Sequence, residues 1–172
     1  MAQKPVTVTK DNLSKVLNAV KQLTSQVVLV GVPGENAERK PVPGEKNTIT
    51  NPVIGYINEF GSPERNIPAR PHLVPAINGI QDKINARMLR MGQQALSLKP
   101  DVIDAGFNGV GLMGQVAVQK YIQATLKPPL AALTLARRKS RKVAPRQGEQ
   151  PLIDTGAYLQ SITYVVRKKS EL

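Results

Sequence analysis

Few residues in this 172-residue chain could do chemistry. His72 is the only histidine, set between Pro71 and Leu73 in a proline-rich turn. With no cysteine in the chain and no carboxylate cluster beside it, it lacks the partners of a metal ligand or a general base and reads as a structural histidine. Asp101 and Asp104 lie three apart at a predicted helix start, where carboxylates stabilise the positive helix end without any acid–base role. Glu59 and Glu64 flank Gly61-Ser62-Pro63 with no third acidic residue nearby. The run Gly109-Val110-Gly111-Leu112-Met113-Gly114 matches GxGxxG letter by letter. It has no preceding strand and no acidic residue some 20 positions later, so it is not read as a dinucleotide cradle. A Walker lysine and a Gly-x-Ser-x-Gly elbow are both missing, and nothing resembles the carboxylate or histidine set that a nuclease gathers around a metal. The expectation is a protein with no catalytic residue, no cofactor and no metal.

The asymmetric feature is charge. Net charge is +12. Residues 1–86 carry 10 basic and 7 acidic groups, and residues 87–172 carry 14 and 5. Lys127, Arg137, Arg138, Lys139, Arg141, Lys142 and Arg146 fall within twenty residues that contain no acid. Like charges at that density repel, which predicts an extended, solvated arm that orders on an anion, either DNA phosphate or an acidic neighbouring subunit. Simple solvation of a soluble surface is the plain alternative.

The elements available to position these groups form one domain over residues 1–172. Aromatics make up 3% of the chain, so the core must be built from Val, Ile, Leu, Met and Ala, and no stacking platform for single strands is expected. No apolar run reaches the ~20 residues of a membrane span, and MAQKPVTVTK has no apolar signal region. A soluble protein, intracellular at synthesis, is expected. Thr9 or Asp11 caps a first helix whose apolar face is Leu13, Val16, Leu17, Val20 and Leu23. Val27 to Val32 reads as a buried strand. Residues 33–50 read as an exposed loop or a long hairpin arm. Asn51-Pro52 starts a short helix with Val53, Ile54, Ile57 and Phe60 as its apolar face, stopped by Gly61. A long helix is predicted from about Ala76 to Leu98. Residues 101–125 have helical spacing, but their four glycines either permit close approach or mark a break, and a break near Gly109–Gly111 is favoured. Segment 127–151 holds at most one helical turn around Leu130–Ala136. A short helix at 155–160 and an alternating strand, 162–167, close the chain. The fold class is α+β, a small antiparallel sheet packed with several helices and carrying long mobile loops at 33–50 and 127–151. The last strand is expected to pair with Val27–Val32.

Two blocks carry a family resemblance. One is Ile54-Gly55-Tyr56-Ile57-Asn58-Glu59-Phe60-Gly61-Ser62 followed by Ile67-Pro68-Ala69-Arg70-Pro71-His72-Leu73. The other runs Pro151-Leu152-Ile153-Asp154-Thr155-Gly156-Ala157-Tyr158-Leu159-Gln160-Ser161-Ile162-Thr163-Tyr164. In this order the chain resembles tailed-phage virion-morphogenesis and head–tail-joining proteins, which include tail-completion proteins. The resemblance implies a non-enzymatic subunit of the neck or tail top, forming a ring of six or twelve copies around the DNA passage. It also implies neighbouring neck, connector or tail-tube proteins as partners, with DNA in the channel as a further contact. The location implied is the virion, after assembly in the host cytoplasm. A basic DNA-binding accessory protein is the alternative.

The same residues have a physical reading. Glu59 is expected to accept from donors of the following turn, Phe60 to pack inward and Gly61 to supply a left-handed cap. Pro68 and Pro71 disfavour helix at Ile67 and Arg70, so the next helix starts cleanly. Asp154 or Thr155 should cap the last helix, with Gly156 and Ser161 in its turns and Leu159 and Ile162 as core anchors.

Overall fold

The computed structural model describes residues 11–38, 49–97, 101–124, 126–141 and 148–171. Among them are seven helices and two strands: α1 (Leu13–Ser25), β1 (Gln26–Gly31), α2 (Asn51–Phe60), α3 (Leu73–Asn78), α4 (Gln81–Leu96), α5 (Val102–Gln123), α6 (Ala132–Lys139), α7 (Ala157–Ser161) and β2 (Thr163–Lys168). The strands pair antiparallel, with Val28 opposite Val166 and Val30 opposite Tyr164. The α+β expectation and the pairing of the last strand with the first both hold.

Helix α5 is the spine. Its first half contributes Ile103 and Phe107 to a cluster with Ala19, Met91 and Ala95, and its second half contributes Val118 and Ile122 to a cluster with Ala76, Leu126, Tyr158 and Ile162. The break expected at Gly109–Gly111 is not there, and α5 runs unbroken for 22 residues. Close approach is what its glycines permit. A Cβ at Gly106 would collide with Met91, one at Gly111 would enter the Tyr164 ring, and one at Gly114 would meet Val30 Cγ2 at 2.7 Å. The helix therefore lies directly on the sheet, and tight packing there outweighs the propensity cost of about 1 kcal/mol per glycine.

The helix expected over Ala76–Leu98 is two helices. Helix α3 starts earlier, at Leu73, and the chain turns at Gly79–Ile80 before α4 begins. Pro75 sits in the first turn of α3, where its missing N–H costs nothing.

Two predicted apolar faces are covered only in part: Leu23 of α1 and Ile54 of α2 pack against the core, while other members of each stripe are exposed. On α1 only Ala19 is buried, whereas Leu13 and Leu17 are 62% and 58% exposed. Asp11 accepts from Leu13 N at 2.8 Å, while Thr9 lies outside the described residues. On α2, Phe60 is 65% exposed rather than inward, and Val53 is exposed with it. Ile54 alone of the predicted α2 face packs against the core. Of the loop 33–50, only residues 33–38, 49 and 50 are described, and they include one 3-10 turn at Gly34–Asn36.

Candidate assembly site

The two sequence blocks meet at one buried corner. Helix α2 carries Glu59 in its last turn and ends at Phe60, and Gly61 then turns the chain at φ 79°, ψ 176°, donating its N–H to the Ile57 carbonyl. That conformation has positive φ but extended ψ, so it is not the left-handed cap expected. A Cβ there would meet Ala69 N at 2.8 Å, which reserves the position for glycine. The chain returns through Pro68 and Pro71 so that α3 begins against the Glu59 carboxylate. Glu59 Oε2 accepts from His72 N at 2.7 Å and Leu73 N at 2.9 Å, and Oε1 accepts from Val74 N at 3.1 Å. The carboxylate thus caps a helix thirteen residues on, not its own following turn. Since Pro75 has no N–H, the donors of the first turn of α3 are accounted for.

His72 is fully buried, and its ring completes the corner. Its Nδ1 lies 3.0 Å from the Arg70 carbonyl and 3.1 Å from Glu59 Oε2, both acceptors only. Nδ1 therefore carries the proton, and Nε2 accepts from the Tyr158 hydroxyl at 2.6 Å. Tyr158 comes from α7, the second block, and its ring stands edge-on to the imidazole. Gly55 leaves the room this needs, since a Cβ there would lie 2.7 Å from the tyrosine oxygen. Ser161 Oγ donates to the Tyr158 carbonyl at 2.7 Å.

The electrostatics follow from burial and partners. Burial pushes the Glu59 carboxyl up, but three backbone N–H donors and His72 together outweigh it and hold the group below the usual carboxylate range. Burial drives His72 down against the opposing pull of the Arg70 carbonyl and Glu59, so the ring is neutral in the fold. Burial and then the Glu59 carboxylate raise the Tyr158 phenol. A neutral imidazole flanked by a bound carboxylate and a protonated phenol is a closed hydrogen-bonded chain in which each ring nitrogen has a partner.

The basic segment is not the extended arm expected. Its middle is the two-turn helix α6, and its cations have separate fates. Arg138 is 8% exposed; its Nη1 donates to the carbonyls of Gly148, Gln150 and Ile153, and its Nε lies 3.7 Å from Asp154. Arg141 Nη1 donates to Asp154 Oδ2 at 2.8 Å. At the other end, Arg70 Nε and Nη2 donate to the Pro128 and Pro129 carbonyls at 2.7 and 2.9 Å. The first block thereby grips the start of the segment, and Asp154 of the second block grips its return. Lys127 and Arg137 are exposed, and Lys139 makes only an exposed 3.8 Å pair with Glu149. Lys142 and Arg146 lie outside the described residues.

Asp154 is therefore a clasp and not a helix cap. Thr155 Oγ1 accepts from Ala157 N at 3.3 Å, and Gly156 holds the N-cap position at φ 80°. Ile162 is fully buried and Leu159 partly so, both within the core around Val118. Sequence reasoning missed the Glu59–His72–Tyr158 chain because its members are 13 and 86 residues apart. The available signal was Gly61-Ser62-Pro63 with the Pro68/Pro71 pair: the chain reverses through Gly61, the 3-10 turn Pro63–Arg65 and the Ser62–Ile67 bridge, and the two prolines keep the returning segment out of helix until α3 begins.

No group of three or more His, Cys, Asp or Glu among the described residues could hold a metal, and no described helix is long and apolar enough to cross a membrane. Comparison with protein-family models, curated proteins and solved structures found no match.

Proposed function

We propose that the chain is a structural, non-enzymatic subunit of the neck or tail top of a tailed phage, working in tail completion or head–tail joining as part of a ring around the DNA passage. The observation that carries the reading is the convergence of the two resembling blocks. Glu59 and His72 from the first are bonded to Tyr158 from the second, while Arg70 and Asp154 separately hold the start and the return of the segment between the blocks. Such a corner explains why these residue types occur together and in this order, and it spends them on shape. Partners by this reading are other copies of the chain and neighbouring neck, connector or tail-tube proteins. The test is removal of residues 39–47 in a phage genome, which keeps the Asn36 and Ala37 carbonyls that receive Asn51, together with a map of the intact particle. The expected result is a folded protein with an unchanged melt and a failure to produce joined head–tail particles. Infectious virions from the deletion would remove the loop from the interface, and a particle map without this chain at neck or tail would overturn the reading.

A second reading, a DNA-binding accessory protein, is favoured by the +12 charge and by exposed Lys127, Arg137 and Lys139. Arg138 and Arg141 are already bound to carbonyls and Asp154, which leaves fewer cations for phosphate. Neutralising Arg137 and Lys139 tests it: on duplex DNA, the slope of log K against log salt should shrink by about 0.9 for each phosphate that is no longer neutralised. An unchanged slope would end the DNA reading for α6.

A further inference from the structure

Among the described residues the sheet has two strands, so each strand has one open edge. In an antiparallel pair every second residue turns its N–H and C=O away from the partner strand, toward that edge. No described group outside the pair bonds to the main chain of residues 27–31 or 163–167. The outward donors and acceptors are met by water, and they form a template for another strand.

The two edges differ. Strand β2 carries Arg167 and Lys168 and runs into Lys169, and cations so placed keep a further strand from adding. Strand β1 reads Gln26-Val27-Val28-Leu29-Val30-Gly31, with no charge and no proline, and its register against β2 is continuous, without a bulge. Charge, proline and bulges are the devices that normally close a sheet edge, and β1 has none of them. A short run of high β propensity, low charge and no proline is also the kind that pairs with its own likeness.

Unpaired main-chain groups state what fits them, which is another extended main chain. The side chains narrow the choice. Nothing charged on β1 selects a charged foreign segment, and two β1 strands side by side set no like charges opposite each other, as two β2 edges would. We infer that the open edge of β1 pairs antiparallel with β1 of a second copy, joining two sheets into one of strand order β2–β1–β1–β2 about a two-fold axis. The outward groups belong to residues of one parity and must meet the same parity in the copy, so the axis passes through a residue and not between two. An axis at Leu29 pairs residues 27–31 of the two copies, and one at Val28 pairs residues 26–30. Val28 and Val30 pack inward, so Val27 and Leu29 lie on the outer face, where Leu29 is 40% exposed and would meet Leu29 or Val27 of the other copy. The inference uses the sheet alone and does not rest on the neck reading.

The chain has no cysteine, so single cysteines report on the seam. Leu29→Cys, Val27→Cys and a control on exposed α1, Ser14→Cys, are made in the full chain and checked for unchanged melts. On mild oxidation, Leu29→Cys alone for an axis at Leu29, or mixed with Val27→Cys for an axis at Val28, should give at least about fivefold more disulfide dimer than the control. Charge tests the self-pairing. Leu29→Lys and Leu29→Glu should each sediment as monomers where the parent is dimeric, and mixing them should restore the dimer. Amide hydrogen exchange reads the main chain directly: alternate amides of β1 should slow as the protein is concentrated, and those on the open edge of β2 should not. A parent that stays monomeric up to its solubility limit overturns the pairing, as does a disulfide yield no greater than the control. A dimer whose β1 amides exchange as in the monomer overturns it too. A dimer that forms only after residues 1–9 are deleted gives the edge to the chain's own start and equally removes the second copy.

Discussion

Glu59 and Phe60 are neighbours in sequence and opposites in environment. The carboxylate is buried and receives three backbone N–H groups, while the phenyl ring next to it stands in solvent against Tyr56. The usual order, charges outside and aromatics inside, is reversed along one turn of α2. A buried ionised group is tolerated only when fully partnered, and then it dictates geometry tightly. An exposed aromatic pair adds little to the isolated fold and has its largest effect when something covers it. The buried corner fixes the chain's shape, and the Tyr56–Phe60 pair stands open to solvent.

The largest expected effect comes from breaking the corner. Glu59→Ala leaves three backbone donors and His72 Nδ1 without their acceptor, and the loss of stability should be about 3–5 kcal/mol in a denaturant melt. Glu59→Gln keeps an acceptor and should lose less. Equal, small losses from both would show that the carboxylate is not what holds α3.

Neighbouring arginines provide a sharper contrast. Arg138→Ala removes a buried cation from three carbonyls and Asp154 and should cost about 2–3 kcal/mol, whereas Arg137→Ala should stay within about 0.5 kcal/mol of the parent. Matching melts for the two variants would mean that the clasp contributes nothing.

Acid should loosen the corner in two steps. His72 is neutral in the fold, while the unfolded chain takes up that proton near the ordinary value of 6.5. Stability is thus full above that pH and falls below it, by at most about 1.4 kcal/mol per pH unit from this group. Glu59, held below its ordinary 4.5, adds a further loss as the pH falls beneath that value and through its folded one. Denaturant melts from about pH 7.5 down to about pH 2.5 measure both steps. His72→Gln should flatten the first step, and a wild-type profile level from about pH 7 to 5 would refute the neutral, buried ring.

The smallest expected effect on the fold is at the exposed Tyr56–Phe60 pair of α2. Replacing Tyr56 and Phe60 with serine should move the melt by no more than about 0.5 kcal/mol, because neither ring belongs to the core. Loss of assembly with an unmoved melt would separate the two faces of α2. A large drop in stability would show instead that the pair belongs to the fold.

These contrasts also explain what was legible beforehand. The boundaries of α2, the Gly61 stop and the pairing of β1 with β2 follow from local signals: Asn-Pro at a start, glycine at an end, β-branched runs in between. Helical spacing also marked an apolar face on α1 and α2. It could not say that Leu13, Leu17, Val53 and Phe60 lie outside, since a stripe reads the same whether its cover is this chain or another. The run from Arg137 to Arg141 likewise reads as uniform charge, and only the fold shows that some members face carbonyls while others face solvent. The unbroken α5 was hidden because propensity penalises each glycine locally, and the gain from laying Gly111 on Tyr164 and Gly114 on Val30 depends on residues 53 and 84 positions away in sequence.

The register of the sheet has a consequence for the order of events in a cell. Strand β1 ends at Gly31 and its partner begins at Thr163, so the pair cannot close until more than a hundred further residues have left the ribosome. Pairing of such distant segments is the slow part of folding. Until then the Leu29 face has no Val165 beside it, and the Arg167–Lys169 charge is missing altogether. A chain stalled or cut before β2 also leaves α5 without the Tyr164 ring that lies on Gly111, so synthesis of the final strand completes the core as well as the sheet.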